Sequence, residues 1–202
     1  MKKKIYIATS RDIGHRCIDW AKDNIPIGFE LVDDMYNCDI FISILYEKLI
    51  NLEFIKNRKC FNFHPGLLPQ YRGAGVYSWS IINGDDKTGI TLHLIDQGID
   101  SGDIIEIRAF PINKHCDTAQ TLFEKGNNML FTMFTSWFHL LLNNQYDAVP
   151  QNESEAAIYY KKDLEKTKDL TRYIRAFTFN NKESAYYING NGDKVHINYK
   201  ED

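Results

Sequence analysis

The sequence Asp-Ile-Phe-Ile-Ser-Ile-Leu at residues 39–45 is apolar at nearly every position, and Lys-Cys-Phe-Asn-Phe-His follows at residues 59–64. A strand that is apolar on both faces is typical of the centre of a parallel sheet covered by helices. Pro65 comes directly after the second stretch and favours an extended conformation for His64. The two stretches therefore predict two strands of an α/β fold, the first of them central in its sheet.

Elements of alternating type surround these strands. Residues 5–8 predict a strand, residues 13–22 a helix and residues 29–32 another strand, which gives a β-α-β order. The later predicted elements are helices over residues 49–57 and 76–83, strands over 88–95 and 103–108, a long helix capped by Thr118 or Asp117, a helix capped by Asp169, and a hairpin of residues 185–188 and 195–197. We expect a Rossmann-like α/β core with a mostly parallel sheet over residues 1–150, and a C-terminal helix and β-hairpin extension over 151–202.

The predicted long helix carries apolar residues at helical spacing. This stripe is expected to face the core, as in most amphipathic helices. Its members are Leu122, Met129, Met133, Trp137, Leu140 and Leu141.

Polar residues mark a candidate site at the end of the second strand. Asn62 and His64 are two residues apart, so their side chains point to the same face of an extended strand. Further along, residues 96–102 read Asp-Gln-Gly-Ile-Asp-Ser-Gly between two predicted strands. Loops held by flanking strands commonly carry functional residues, so this connector is a second candidate.

Four motifs follow one another over the middle of the chain. They are Phe-Asn-Phe-His-Pro-Gly-Leu-Leu-Pro-Gln-Tyr-Arg-Gly at residues 61–73, Ile-Ile-Asn-Gly at 81–84, Thr-Gly-Ile-Thr at 88–91 and Asp-Gln-Gly-Ile-Asp-Ser-Gly-Asp at 96–103. Together they resemble the folate-dependent formyltransferase family, which has an Asn-x-His pair, a Leu-Leu-Pro loop and an Asp-x-Gly-x-Asp-x-Gly loop. Asn62, His64 and Asp100 match that pattern residue by residue, so the resemblance implies a formyltransferase core with these three as catalytic residues.

The chemistry of formyl transfer suits these residue types. Attack of an amine on the formyl carbon produces an oxyanion and leaves a proton to be removed. The Asn62 amide can donate to the oxyanion, a contact worth about 3 kcal/mol, and His64 can accept the proton near neutral pH. Asp100 would hold the imidazole and help relay a proton to the leaving nitrogen of the folate. The sequence leaves open which of His64 and Asp100 is the formal base.

The resemblance implies N10-formyltetrahydrofolate as the formyl donor and co-substrate. In the family, the pterin lies against the loop after the central strand and against the aspartate-rich loop. The corresponding residues here are Ile44, Tyr46, Lys48, Asp96 and Gly98. No metal is expected, because Cys17, Cys38, Cys60 and Cys116 form no zinc-ligand spacing.

Charge and hydropathy exclude several partners. The 24 basic and 27 acidic residues give a net charge of −3, which argues against a long nucleic-acid footprint. The most apolar stretch, residues 129–142, is shorter than the roughly 20 residues that a membrane-spanning helix needs. The apolar run at residues 5–8 is too short for an export signal. We therefore expect a cytoplasmic protein without a membrane segment.

Three branches of the family differ in the formyl acceptor. Methionyl-tRNA formyltransferases carry a substantial additional C-terminal domain, for which this chain has neither the length nor the basic charge. Glycinamide ribonucleotide formyltransferases have a Gly-x-Gly-Ser-Asn loop, whereas residues 8–14 here read Ala-Thr-Ser-Arg-Asp-Ile-Gly. The nucleotide-sugar N-formyltransferases resemble the chain in His-Pro-Gly, in Leu-Pro-x-Tyr-Arg-Gly, in Trp79 and in residues 174–179.

The third branch fits best. It implies a nucleotide-linked amino-deoxy sugar as acceptor. We expect a dTDP-linked sugar, for example a 3- or 4-amino-dideoxyhexose, used in surface polysaccharide synthesis such as that of the O-antigen of lipopolysaccharide. The alternatives are an enzyme like glycinamide ribonucleotide formyltransferase and a non-catalytic nucleotide-sugar-binding protein of the same fold. Candidate substrate contacts are Arg72 for phosphate or sugar, and the aromatic residues Tyr77, Trp79, Phe177 and Tyr186. A homodimer is expected, since the C-terminal hairpin is marginal alone and would gain by packing.

Overall fold

The computed structural model describes residues 1–163, 168–180 and 182–198 of the 202-residue chain. Its main strands are β1 (Lys3–Thr9), β2 (Phe29–Leu31), β3 (Ile40–Ile44), β4 (Lys59–His64), β6 (Lys87–Leu94) and β7 (Ile104–Pro111), with a short β5 (Arg72–Gly73) between β4 and β6. The six main strands form one sheet in the order β2-β1-β3-β4-β6-β7. Two separate pairs complete the strands: β5 with β8 (Ile158–Tyr159), and β9 (Ala185–Ile188) with β10 (Lys194–Ile197).

The direction of the strands changes at β4. The neighbours β2-β1, β1-β3 and β3-β4 run parallel, whereas β4-β6 and β6-β7 run antiparallel. All five residues of β3 are buried, as expected for a central parallel strand. The predicted α/β fold with a mostly parallel sheet is confirmed.

The helices are α1 (Asp12–Asn24), α2 (Leu52–Lys56), α3 (Val76–Asn83), α4 (Ala119–Leu142) and α5 (Leu170–Phe177). Helix α2 begins three residues later than the sequence predicts, because the Asn51 side chain accepts the backbone N–H of Phe54 and caps the helix there. Helix α4 begins with a capping box in which Thr118 and Thr121 exchange hydrogen bonds. Short 3₁₀ turns lie at Met35–Asn37, Glu153–Glu155 and Lys161–Asp163.

The buried face of α4 differs in part from the predicted stripe. Leu122, Met133 and Leu141 are fully buried, but Leu140 is 36% exposed. The centre of the buried face is formed by Leu130, Phe134 and Phe138, which the stripe omitted. These side chains repeat every four residues along the face that meets both the sheet and α1, where the Trp20 ring forms T-shaped contacts with Phe134 and Phe138.

A second core cluster joins the C-terminal segment to the rest of the chain. Ala176 of α5 is buried with Tyr77 and Ile81 of α3 and with Leu122 of α4. Asp169 caps α5 as predicted, and β9 and β10 form the predicted antiparallel hairpin. The structure does not test the predicted boundary at residue 150. No helix within the described residues is long and apolar enough to span a bilayer.

Candidate active site

One strand and one loop bring the three candidate residues together. Asn62 and His64 lie on one face at the carboxyl end of β4, beside the end of β3. Asp100 comes from the loop between β6 and β7, and its backbone has φ of 49°, in the left-handed region that is uncommon for a non-glycine residue. The sheet therefore brings together His64 and Asp100, which are 36 positions apart in the sequence. The shared face of Asn62 and His64 and the family resemblance both led us to expect this.

His64 is held by a backbone carbonyl and faces a carboxylate. Its Nε2 lies 2.6 Å from the Tyr71 carbonyl oxygen, and its Nδ1 lies 3.4 Å from Asp100 Oδ2. A carbonyl oxygen only accepts hydrogen bonds, so we assign the hydrogen of the neutral ring to Nε2 and leave Nδ1 unprotonated. The nitrogen that can take up a proton is thus the one beside Asp100.

Both oxygens of the Asp100 carboxylate accept hydrogen bonds. Oδ1 accepts a hydrogen bond from Asn62 Nδ2 at 3.2 Å, and Oδ2 accepts one from the Gly73 backbone N–H at 2.9 Å. Gly73 has φ of 91°, and a Cβ there would lie 2.2 Å from the Tyr159 carbonyl oxygen, so only glycine fits this donor position.

The structure explains why the His-Pro-Gly sequence has a glycine at residue 66. A Cβ at this position would lie 2.8 Å from His64 Nε2 and 2.9 Å from the Tyr71 carbonyl oxygen. The close approach of these two groups, which fixes the imidazole, therefore requires the absence of a side chain at residue 66.

His93 is a member of the cluster that the sequence analysis missed, since no motif links it to the site. It lies on β6 directly opposite Asn62, with Nε2 at 3.1 Å from Asn62 Nδ2 and at 3.7 Å from Asp100 Oδ1. Its Nδ1 lies 2.6 Å from the Leu94 carbonyl oxygen and must carry the hydrogen, so Nε2 accepts from Asn62. Only the antiparallel register across β4 and β6 reveals this contact.

The electrostatics separate the two titrating groups. Burial raises the pKa of Asp100, but the positive charges that His64 and His93 carry when protonated, together with the hydrogen bond from the Gly73 N–H, outweigh it and hold that pKa well below its usual value. Burial lowers the pKa of His64, and the neighbouring Asp100 opposes this only in part. At neutral pH the site therefore contains an ionised carboxylate beside a neutral imidazole.

A cavity of about 970 Å³ opens onto this cluster. The predicted site residues that line it are Asn62, His64, Asp100, Tyr46, Lys48, Asp96, Gly98, Tyr77 and Phe177. Thus all three predicted catalytic residues, four of the predicted folate contacts and two of the predicted acceptor contacts share one space.

Four predicted contacts do not line that cavity. Ile44 is fully buried in the main core. The Arg72 guanidinium is bound by Gln151 and Glu153. The Trp79 ring packs at 4.9 Å from Tyr159. The Tyr186 ring lies beneath the Lys194 ammonium at 4.2 Å and beside His196.

The cavity also contains side chains that no motif indicated. Arg11, Lys161 and Lys182 supply positive charge, and Phe123 and Phe179 widen the aromatic wall near Phe177. Arg11 forms an ion pair with Glu47, which also lines the cavity. Its place just after β1, at the carboxyl edge of the parallel strands, is the only sequence signal that could have found it. Within the described ranges, no three His, Cys, Asp or Glu side chains are grouped to hold a metal ion.

Residues 29–134 match the family model described as Formyl transferase. That range is more than half of the chain and contains Asn62, His64, His93 and Asp100. The chain belongs to the formyl transferase family.

The curated relatives share this part of the chain. The methionyl-tRNA formyltransferase of Alkaliphilus oremlandii is 36% identical over 120 residues, which are 58% of this chain and 38% of that protein. The methionyl-tRNA formyltransferase of Prochlorococcus marinus strain MIT 9515 is 32% identical over 155 residues, 76% of this chain and 43% of that protein. The chain spans less than half the length of these two relatives.

Solved structures with the same fold include sugar N-formyltransferases. WlaRD, a sugar 3-N-formyltransferase solved in the presence of dTDP and 5-N-formyl-THF, has a TM-score of 0.76 and 26% identity over 89% of this chain and 80% of its own. An N-formyltransferase from Helicobacter canadensis in complex with folinic acid and dTDP-3-aminofucose has a TM-score of 0.76 and 24% identity, over 89% and 81%. A 4-N-formyltransferase from Francisella tularensis has a TM-score of 0.80 and 21% identity, over 98% of both chains.

Proposed function

We propose that this chain transfers a formyl group from N10-formyltetrahydrofolate to the amine of a nucleotide-linked amino-deoxy sugar. The first choice of acceptor is a dTDP-linked 3- or 4-amino-dideoxyhexose, with the product used in surface polysaccharide synthesis. The single observation that carries the proposal is the cluster of Asn62, His64 and Asp100 on the wall of a 970 Å³ cavity.

The protonation states of Asp100 and His64 indicate which of them is the general base. A carboxylate whose pKa is held far below its usual value is a poor proton acceptor at neutral pH. A neutral imidazole with Nδ1 unprotonated is a good one, and the imidazolium formed by proton uptake would pair at once with Asp100. We therefore assign the general base to His64, with Asp100 stabilising the charge that develops on the ring.

Stabilisation of the oxyanion falls to Asn62. Both N–H groups of its amide are already used, one toward His93 and one toward Asp100. The amide can donate to the oxygen of the tetrahedral intermediate only by exchanging one of these bonds. Asp100 keeps its bond from the Gly73 N–H during that exchange, so the loss to the carboxylate is limited.

The formyl donor has room beside the loop that follows β3. Tyr46, Lys48, Asp96 and Gly98 face the same cavity as the catalytic cluster. A volume of 970 Å³ is at the upper end of the roughly 300–1,000 Å³ usual for small-molecule sites. Two solved relatives with this fold carry folate derivatives in their complexes, which supports a folate donor here.

Two features favour a nucleotide-linked acceptor. Arg11, Lys161 and Lys182 line the cavity, and Arg11 is paired with Glu47. A diphosphate would be held by the two lysines and would take the place of the Glu47 carboxylate at Arg11. Tyr77 and Phe177 offer aromatic surface for a base or a sugar ring. The dTDP ligands of WlaRD and of the Helicobacter canadensis protein support the same choice.

Methionyl-tRNA is the competing acceptor, because the two curated relatives described above are methionyl-tRNA formyltransferases. The discriminating experiment incubates the chain with N10-formyltetrahydrofolate and each of four acceptor classes: dTDP-amino sugars, GDP-amino sugars, glycinamide ribonucleotide and methionyl-tRNA. Product formation is followed by mass spectrometry. Formylation of a dTDP-amino sugar alone is expected; formylation of tRNA or of the ribonucleotide in preference to every sugar would overturn the choice.

We also propose a homodimer. Tyr187 and Ile188 on β9 are 50% and 53% exposed, so the hairpin retains apolar surface that a second copy could cover. Light scattering after size-exclusion chromatography should give twice the chain mass, and Tyr187→Ser with Ile188→Ser should give the mass of one chain. A wild-type mass of one chain at all concentrations would refute the dimer.

A further inference from the structure

The segment after β7 and α4 returns to the loop that carries Asp100. The Gln151 side chain donates from Nε2 to the Asp100 carbonyl oxygen at 2.8 Å and to the Gly102 carbonyl oxygen at 2.7 Å. Both hydrogens of the amide are used on the loop backbone. Gln151 does not line the cavity, so it meets the site through this loop and through Arg72, which directly precedes the Gly73 N–H donor to Asp100.

The orientation of the Gln151 amide is fixed from its other side. Arg72 donates from Nε and Nη2 to Gln151 Oε1, at 3.0 and 2.8 Å. A guanidinium only donates and a backbone carbonyl only accepts, so the oxygen must face Arg72 and the nitrogen must face the loop. The reverse orientation would leave four polar contacts mismatched.

Arg72 is itself anchored. Its side chain is 6% exposed and pairs with the Glu153 carboxylate through Nη1 at 3.0 Å and Nη2 at 2.6 Å. Its backbone N–H donates to the Ala157 carbonyl oxygen, where β5 pairs with β8. Gln151 therefore connects a bidentate ion pair, formed by the buried Arg72 and the exposed Glu153, to the loop of Asp100.

The loop needs such an anchor. The left-handed backbone of Asp100 is unfavourable for a residue with a side chain and persists only where the surrounding structure holds it. A carboxylate that must sit 3.4 Å from His64 Nδ1 also loses its effect when the loop shifts by about 1 Å. Hydrogen bonds to the carbonyls of residues 100 and 102 hold the backbone on both sides of residue 101.

We propose that Gln151 is a positioning residue for formyl transfer: its amide holds the Asp100 loop in the conformation that places the carboxylate against His64. The proposal rests on the proposed function for its kinetic consequence. Arg72 would then orient the Gln151 amide, whereas its motif suggested that it contacts the phosphate or sugar of the substrate.

Two variants separate the donor from the acceptor side of the amide. Gln151→Glu keeps oxygen atoms for Arg72 but has no N–H for the loop. Gln151→Met has similar length and no charge, and loses both sets of bonds. Gln145→Glu is the matched control. Gln145 is exposed, and its substitution makes the same chemical change at a position outside the site.

In steady-state assays we expect kcat to fall about tenfold or more in both Gln151 variants, with KM for folate and for acceptor within about twofold of wild type. The acid limb of the kcat profile should move to lower pH in Gln151→Met, because a displaced Asp100 no longer supports the protonated imidazole. Gln145→Glu should match wild type in all three quantities. If the variants acted only through lost packing, the acid limb of the kcat profile would stay at the same pH.

An NMR titration of the His64 imidazole in the ligand-free protein tests the positioning without turnover. In Gln151→Met the His64 pKa should fall relative to wild type. If wild type formylates no acceptor, the proposed function fails while this titration still decides the inference. An unchanged His64 titration, or kcat of both Gln151 variants within twofold of Gln145→Glu, would overturn it.

Discussion

Replacing Asp100 by Asn tests the pairing of the base with its carboxylate most quantitatively. The substitution keeps the size of the side chain but removes its charge. Asp100 Oδ2 lies 3.4 Å from His64 Nδ1, and a full imidazolium at that distance gains about 5 kcal/mol at an effective dielectric constant of about 20. If about half of the charge has developed in the transition state, the loss is about 2.5 kcal/mol, or about 10²-fold in kcat/KM.

The pH profile should change in a defined direction. Asp100 raises the pKa of His64 against the effect of burial, so its removal lowers that pKa further. Activity is lost where His64 is protonated, and the acid limb of kcat/KM should therefore move to lower pH in Asp100→Asn.

The assay is initial-rate formylation of a dTDP-amino sugar across pH, with Asp103→Asn as control. Asp103 lies in the same loop but does not line the cavity, so this variant should keep wild-type rates. A loss of less than tenfold in Asp100→Asn, or an acid limb that stays in place or moves to higher pH, would refute the assignment of His64 as a base supported by Asp100.

Three further outcomes are expected. Asn62→Leu should lower kcat by about 10²-fold or more with a small effect on KM, since the amide acts on the oxyanion; unchanged kcat would contradict that role. His93→Phe removes the acceptor that orients the Asn62 amide, and should lower kcat about tenfold while thermal unfolding stays cooperative; a wild-type rate would make His93 a structural residue. The pKa of Asp100 is lower in the folded chain than in the unfolded chain, where it is about 3.9. The ionised carboxylate therefore stabilises the folded state above that pH, and this contribution to the free energy of unfolding is lost as the pH falls toward the folded pKa. Urea unfolding at about pH 7 and about pH 3 should show that wild type loses more stability than Asp100→Asn. Equal losses would contradict the depressed pKa.

Local patterns in the sequence were sufficient for much of the fold. The apolar run at residues 39–45 predicted the buried strand β3, and the two-residue spacing of Asn62 and His64 predicted their shared face. The hairpin followed from the Asn-Gly-Asn-Gly sequence at residues 189–192, which is typical of a tight turn between two strands. These features depend on neighbours along the chain, which the sequence displays directly.

Contacts between distant segments were harder to predict. His93 faces Asn62 through an antiparallel register, and a register is set by the packing of whole strands. Gln151 reaches Asp100 across 51 positions, and Arg72, which the motif suggested for substrate, is occupied by that same segment. The stripe on α4 was partly wrong because its buried face depends on where α1 and the sheet meet it.

The proposed transfer itself is tested most directly by one measurement: mass analysis of a dTDP-amino sugar after incubation with this chain and N10-formyltetrahydrofolate. The account predicts a product in which one amine hydrogen is replaced by a formyl group, formed by wild type and lost in His64→Asn. Absence of that product while methionyl-tRNA is formylated under the same conditions would contradict the account.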